Sequence, residues 1–205
     1  MSRLVLATSN PDKTREIEEL FRGLSVRIVP VTGLVPGWAV EETADSLEGN
    51  ALLKARAAQE ATAEPAIADD TGLFVAALGG TPGVRSSRFA GPGATYADNV
   101  RRLLDALDGC PEAERDAVFR TAVALVRPDG RTKLFQGELW GRILESPRGE
   151  GGFGYDPVFL VPEEGRTLAE IPLERKNALS HRSRAFRAAR EFLERRPGWL
   201  EGAGD

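Results

Sequence analysis

Asp69 and Asp70 stand side by side in IADDTGLFV, residues 67–75, where the other residues are mostly apolar. A strand points successive side chains to opposite faces, so the two acids cannot share one purpose. One can satisfy a turn while the other faces a site. A carboxylate at a strand end can orient or deprotonate water, or ligate a cation that prefers oxygen. A second acid pair, Glu41-Glu42, follows the loop signal Pro36-Gly37. Mg²⁺ often takes only one or two carboxylates and completes its octahedron with phosphates and water, so Glu42, Asp69 and Asp70 form a candidate set. The plainer alternatives are a solvated loop for Glu41-Glu42 and a side-chain-capped turn before Gly72 for the aspartates.

Four other segments hold residues suited to a phosphorylated ligand. Residues 8–13, TSNPDK, place Asn10 at an N-cap, Pro11 at the first helical position and Asp12 in the first turn. The free N–H groups of such a helix start, with Lys13 beside them, make a phosphate cradle or simply a capped surface helix. The Walker pattern GxxxxGK[ST] is absent. Asn50 and Lys54 lie four apart and share a helix face, which alone reads as exposed; after the acidic loop, Lys54 can be aimed at phosphates. GGFGYDP, residues 151–157, offers close backbone approach, Phe153 to stack on a base and Asp156 to accept from ring N–H groups. The alternative packs Phe153 and Tyr155 into the core. KNALSHR, residues 176–182, brings Lys176, His181 and Arg182 near a helix start capped by Asn177 or Ser180.

The elements that must position these residues alternate between strand and helix periods. Residues 3–7 read as a buried strand, and Ile17, Leu20, Phe21 and Leu24 recur at helical spacing. Residues 26–31 read as a second strand. A second helix starts near Asp45 or Ser46 and carries Leu47, Ala51, Ala55 and Ala58 as its apolar stripe. After the loop GGTPGVRSSRFAGPG, Thr95 begins a third helix, with Val100, Leu103, Leu104 and Leu107 facing the core. AVFRTAVALV and TKLFQGELW form a hairpin around Pro128-Asp129-Gly130, and a C-terminal helix carries Ala185, Phe186, Ala189 and Phe192. Interleaved helices with an antiparallel hairpin predict an α/β fold with a mixed sheet.

The chain of 205 residues has the size of one domain, with room for two lobes, and a net charge of only −4. That charge argues against nucleic-acid binding through bulk positive potential. One cysteine and one histidine leave no intrachain disulfide and no ordinary Cys/His zinc site, so any metal is an oxygen-bound Mg²⁺, Mn²⁺ or Ca²⁺. MSRLVLATSNPDK lacks the apolar region of a signal peptide, and no apolar run has membrane-spanning length, so the expected location is the cytoplasm.

Taken together, LATSNPDKTREI, EET…EGNALLKA, IADDTGLFVAALGGTPGVRSSRFAG, GGFGYDPVF and KNALSHR resemble the inosine/xanthosine triphosphate pyrophosphatase family. The five segments occur in order across essentially the whole chain. The resemblance implies an elongated mixed sheet flanked by helices, two lobes with the active site in the groove between them, and a homodimer. It implies Mg²⁺-dependent hydrolysis of ITP, dITP or XTP to monophosphate and pyrophosphate, with Mn²⁺ as a substitute metal. By position, Asp70 corresponds to the catalytic carboxylate and a metal ligand, and Glu42 to the second ligand. Asp69 becomes a supporting or turn-satisfying residue, and Thr71 a substrate contact. Thr8, Ser9, Asn10 and Lys13 form the triphosphate turn, with Asn50 and Lys54 also on the substrate side. Phe153, Gly154, Tyr155 and Asp156 wall the base pocket. Lys176, His181 and Arg182 contact the nucleotide, with Arg182 as reader of the purine 6-oxo group. Ser9 departs from the glycine common at its position. Two rival readings are a haloacid-dehalogenase-like phosphatase, whose DxD spacing is missing here, and a non-catalytic nucleotide sensor.

Overall fold

The structure is a computed structural model, and it describes residues 2–202. The elements follow the expected alternation: β1 (Ser2–Leu6), α1 (Pro11–Leu20), β2 (Val26–Pro30), α2 (Leu47–Thr62), β3 (Ala66–Val75), β4 (Pro82–Gly83), α3 (Tyr96–Ala106), β5 (Asp116–Val126), β6 (Thr132–Ile143), β7 (Phe159–Val161), β8 (Arg166–Thr167), α4 (Leu173–Leu179) and α5 (His181–Arg195). The strands form one sheet in the order β2-β1-β3-β5-β6-β7-β8, with β4 paired to β3. β1 runs parallel to both β2 and β3, whereas β3–β4, β6–β7 and β7–β8 are antiparallel. This is the mixed sheet that the sequence pattern predicts, flanked by helices as the family resemblance implies. No helix among the described residues is long and apolar enough to cross a membrane.

The chain divides into two compact units. The first comprises Met1–Asp70, Thr121–Gly137 and Arg182–Asp205. Its core joins Leu4 and Leu6 of β1, Ile17 and Leu20 of α1, Val123 and Leu125 of β5, and Ala185, Phe186 and Ala189 of α5. β1 is flanked by parallel partners, so side chains on both of its faces are buried and the run Leu4-Val5-Leu6 is apolar throughout. The second unit comprises Thr71–Arg120 and Glu138–His181. Leu73, Val75, Leu103, Phe119, Ile143, Val158 and Phe159 form its core.

The first three helices start where the sequence predicts. Asn10 Oδ1 accepts from the N–H groups of Asp12 and Lys13, with Pro11 at the first helical position. Ser46 Oγ accepts from Gly49 N at 3.0 Å and caps α2. At α3, Thr95 and Asp98 form a reciprocal capping box. Thr95→Ala removes the acceptor for Asp98 N and is expected to lower stability by about 1 kcal/mol. A urea titration followed by circular dichroism measures the shift.

Three local readings differ from the sequence expectation. β3 does not end at the aspartates: it continues to Val75, where Leu73 and Phe74 pair with Gly83 and Pro82. Asp69 and Asp70 therefore lie mid-strand and neither satisfies a turn; charge pairing, described below, makes their burial there tolerable. The C-terminal helix starts at His181, directly after the cap candidate Ser180, which is extended (φ −67°, ψ 154°). Residues 173–179 ahead of it form a further helix, α4, so the other cap candidate, Asn177, lies within a helix. Asn50 and Lys54 are buried rather than exposed, on a helix whose small Ala51, Ala55 and Ala58 allow close packing.

Candidate active site

Within the first unit, strand alternation sends the two aspartates to different partners. Asp69 Oδ2 meets Lys13 Nζ of α1 at 2.9 Å and Arg182 Nε of α5 at 3.4 Å. Arg182 Nη1 also reaches Glu16 Oε2 at 2.7 Å, which makes a chain Lys13–Asp69–Arg182–Glu16 that is buried apart from the half-buried Lys13. Asp70 turns to α2 instead. Its Oδ1 lies 3.0 Å from Lys54 Nζ, and its Oδ2 accepts from Asn50 Nδ2 at 3.2 Å. Lys54 Nζ also lies 2.5 Å from Glu42 Oε1. Glu42 and Asp70, far apart in sequence, thus converge on one ammonium group.

The electrostatics separate the two acids. Burial alone would raise Asp69, but Lys13, Arg182 and Lys54 outweigh it and hold the carboxyl far below the usual carboxylate range. Burial also dominates at Asp70, and Glu42 adds to it; Lys54 opposes but does not cancel them, so Asp70 stays above its ordinary value. Burial lowers Lys13, against the pull of Asp69. Lys54 feels the same burial, yet Asp70, Asp69 and Glu42 raise it overall. Asp69 is a fixed counter-charge, while Asp70 is the acid with basicity to spare.

The turn at residues 8–13 of the first unit is organised by the helix start. Thr8 Oγ1 accepts from Asn10 N at 3.1 Å, Asn10 caps α1, and Ser9 is exposed. Thr71, half-buried in β3, opens the second unit.

In the second unit, Asp156 Oδ2 accepts from Phe153 N at 2.9 Å and from Lys176 Nζ at 2.8 Å. Lys176 Nζ sits 4.8 Å from the centre of the Phe153 ring, in cation–π contact. Tyr96 lies against the same ring, with centroids 5.8 Å apart. Gly152 and Gly154 both have positive φ, at +70° and +64°. A Cβ on Gly152 would fall 2.1 Å from Asp156 Oδ2, so the loop shape depends on glycine there. Tyr155 is a core residue: its ring is buried, its hydroxyl donates to Ser86 O at 2.8 Å, and burial pushes its phenol well above the ordinary range. His181 is buried and stacks on Phe119 at 4.5 Å.

A family model described as the Ham1 family matches residues 4–192. The chain belongs to the Ham1 family. It is 50% identical over 199 residues to a dITP/XTP pyrophosphatase of Symbiobacterium thermophilum, covering 97% of each protein. It is 48% identical to the dITP/XTP pyrophosphatase of Geobacter sulfurreducens, covering 97% of this chain and 98% of that one. Among solved structures it resembles a HAM1 protein from Coxiella burnetii, with a TM-score of 0.86 and 40% identity over 95% of this chain and all of the other. The Staphylococcus aureus Ham1 protein gives a TM-score of 0.84 and 37% identity, over 94% and 98% of the two chains.

In this Ham1 family chain the donor set suits a small divalent cation. Glu42 and Asp70 already place two carboxylates about one positive charge, and oxygen donors match Mg²⁺ or Mn²⁺. No group of three or more His, Cys, Asp or Glu suited to a metal occurs among the described residues, so phosphate and water oxygens would complete the coordination. Sequence reasoning missed Glu16, Ser86 and Tyr96. Glu16 carried a usable signal, since it follows Lys13 by three residues and so shares its helix face. Ser86 carried none: it donates to Gly83 O and accepts from Leu73 N, contacts that only the folded β3–β4 region creates.

Proposed function

We propose that this protein hydrolyses dITP, XTP and ITP to the nucleoside monophosphate and pyrophosphate. The observation that carries the proposal is the convergence of Glu42 and Asp70 on one cationic point, with Asp70 the more basic of the adjacent aspartates. The dITP/XTP pyrophosphatase relatives support it. Glu42 and Asp70 would hold Mg²⁺ or Mn²⁺, which when bound offsets charge on phosphate oxygens and lowers the pKa of its water.

Asp70 orients a water in line with the α-phosphorus and accepts its proton. A water oxygen–phosphorus bond forms as the bond from the α-phosphorus to the bridging oxygen breaks, and pyrophosphate leaves. Lys13, Lys54 and the N-terminus of α1 stabilise the departing negative charge. No covalent enzyme intermediate is formed, so positioning and electrostatics supply the rate. Phe153 stacks on the base, Lys176 and His181 contact the nucleotide, and Arg182 reads the 6-oxo group. The last role suits a guanidinium whose plane is held by Asp69 and Glu16. A 6-oxo acceptor matches these donors, whereas the 6-amino group of ATP is itself a donor. The working form in this proposal is a cytoplasmic homodimer, which light scattering checks by mass.

Incubation with Mg²⁺ and dITP, XTP, ITP or ATP, followed by product identification, tests the activity. Monophosphate and pyrophosphate are expected, fastest from the 6-oxo nucleotides. Diphosphate and orthophosphate would overturn the proposal in favour of a phosphatase, and binding without products would favour a sensor. Gly152→Ala drives a methyl group into Asp156 and displaces the Phe153 backbone that Asp156 holds. Its KM for dITP is expected to rise about 10- to 100-fold in steady-state kinetics.

A further inference from the structure

Asn50 has both ends of its amide engaged inside the first unit. The residue is fully buried (0% exposed) on α2. Its Oδ1 accepts from Ala44 N at 3.0 Å, and its Nδ2 donates to Asp70 Oδ2 at 3.2 Å. The orientation of the amide is fixed by chemistry, because a backbone N–H can only donate and an ionised carboxylate can only accept. Ala44 lies two residues after Glu42, so the same side chain that fixes Asp70 also pins the loop that carries Glu42.

Two further contacts hold that loop on the first turn of α2. Ser46 Oγ accepts from Gly49 N at 3.0 Å. A Cβ on Gly49 would come within 2.6 Å of Ala44 Cβ, so the loop lies against the helix where only glycine leaves room. One turn after Asn50, Lys54 reaches Glu42 Oε1 and Asp70 Oδ1. Lys54 and Asn50 therefore take different oxygens of Asp70. A neutral amide on the second oxygen orients the carboxylate without cancelling its charge, which a second cation would do.

We propose that Asn50 is a positioning residue that sets the spacing between Glu42 and Asp70, rather than a contact to the substrate. This rests on the assignment of that carboxylate pair to a divalent cation. A substrate contact would need surface to meet a ligand, and Asn50 has none: it is 0% exposed, with Oδ1 on Ala44 N and Nδ2 on Asp70. Groups that orient metal ligands typically change metal affinity or activity about 10- to 100-fold when removed.

The test is Asn50→Leu, read by Mn²⁺ titration under electron paramagnetic resonance without nucleotide, and by steady-state kinetics with dITP. Mn²⁺ affinity is expected to fall about 10- to 100-fold, with kcat falling and KM at saturating metal little changed. A rise in KM with kcat and Mn²⁺ affinity unchanged would overturn the proposal and make Asn50 a substrate contact. Gly49→Ala serves as the second variant if Asn50→Leu does not fold. It leaves the Asp70 bond in place, pushes the Ala44 loop outward and is expected to weaken Mn²⁺ in the same way; unchanged Mn²⁺ affinity there would overturn the proposal. A wild-type protein that binds Mn²⁺ but releases no monophosphate contradicts the proposed activity alone, and the Mn²⁺ titrations then still decide the role of Asn50. A wild type that binds no Mn²⁺ without nucleotide would overturn the carboxylate pair as a cation site of the free protein, and with it the role given to Asn50, while product identification still decides the activity.

Discussion

Replacing Asp70 with asparagine is expected to lower kcat for dITP about 10²- to 10⁴-fold while leaving nucleotide affinity nearly unchanged. The variant keeps the shape of the side chain and an oxygen for Lys54 Nζ, which lies 3.0 Å from Oδ1 in the wild type. It loses the negative charge and the ability to accept a proton. Asp70 suits the role because burial and Glu42 keep it above the ordinary carboxylate value despite Lys54. A sensor would show no such split between turnover and binding. Steady-state kinetics with an equilibrium measurement of nucleotide affinity gives both quantities, and unchanged turnover would remove Asp70 from the mechanism.

Asp69→Asn is expected to act on stability first. The carboxylate is buried between Lys13 and Arg182, and its loss leaves two cations without their shared partner. Breaking a buried ion pair by removing one side costs about 3–5 kcal/mol. The sign of the pH dependence follows from the depressed pKa. The folded protein holds Asp69 ionised far below its ordinary value of 3.8, so the stabilisation is fully present above that value and fades as pH falls below it. Urea titrations from pH 7 down to pH 3 should show the wild type losing stability in acid, whereas the variant starts lower and its acid decline is shallower. Equal stability at pH 7 would mean that the Lys13–Asp69–Arg182 chain does not hold the fold.

The features legible in the sequence were those set by near neighbours. Asn10 with Pro11, Ser46 before α2 and Thr95 before α3 all cap their helices through partners two or three residues away. The apolar periods of β1, α1 and α3 were equally plain, because each element buries one kind of residue on a fixed spacing. What stayed hidden depends on distant pairing. Asp69 and Asp70 read as a strand end because unpaired charge does not belong inside a sheet. The cations that admit them come from residues 13, 54 and 182. Asn50 and Lys54 read as an exposed pair for the same reason, since their burial is matched by Asp70 and the loop before α2. Tyr155 shared a glycine-rich motif with Phe153, yet its hydroxyl is claimed by Ser86, a residue 69 positions away. The start of the last helix after Ser180 was legible, whereas the short α4 before it was not, because it begins after Pro172 with no side-chain cap.

The central claim is that water attacks the α-phosphorus of a 6-oxo purine triphosphate. Hydrolysis of dITP in H₂¹⁸O with Mg²⁺, followed by mass spectrometry of both products, tests it directly. The expected result is a single ¹⁸O in the monophosphate and none in the pyrophosphate. Label in the pyrophosphate would place the attack at the β-phosphorus, and label in orthophosphate at the γ-phosphorus. Either would contradict the roles given to Asp70, Glu42 and Lys54.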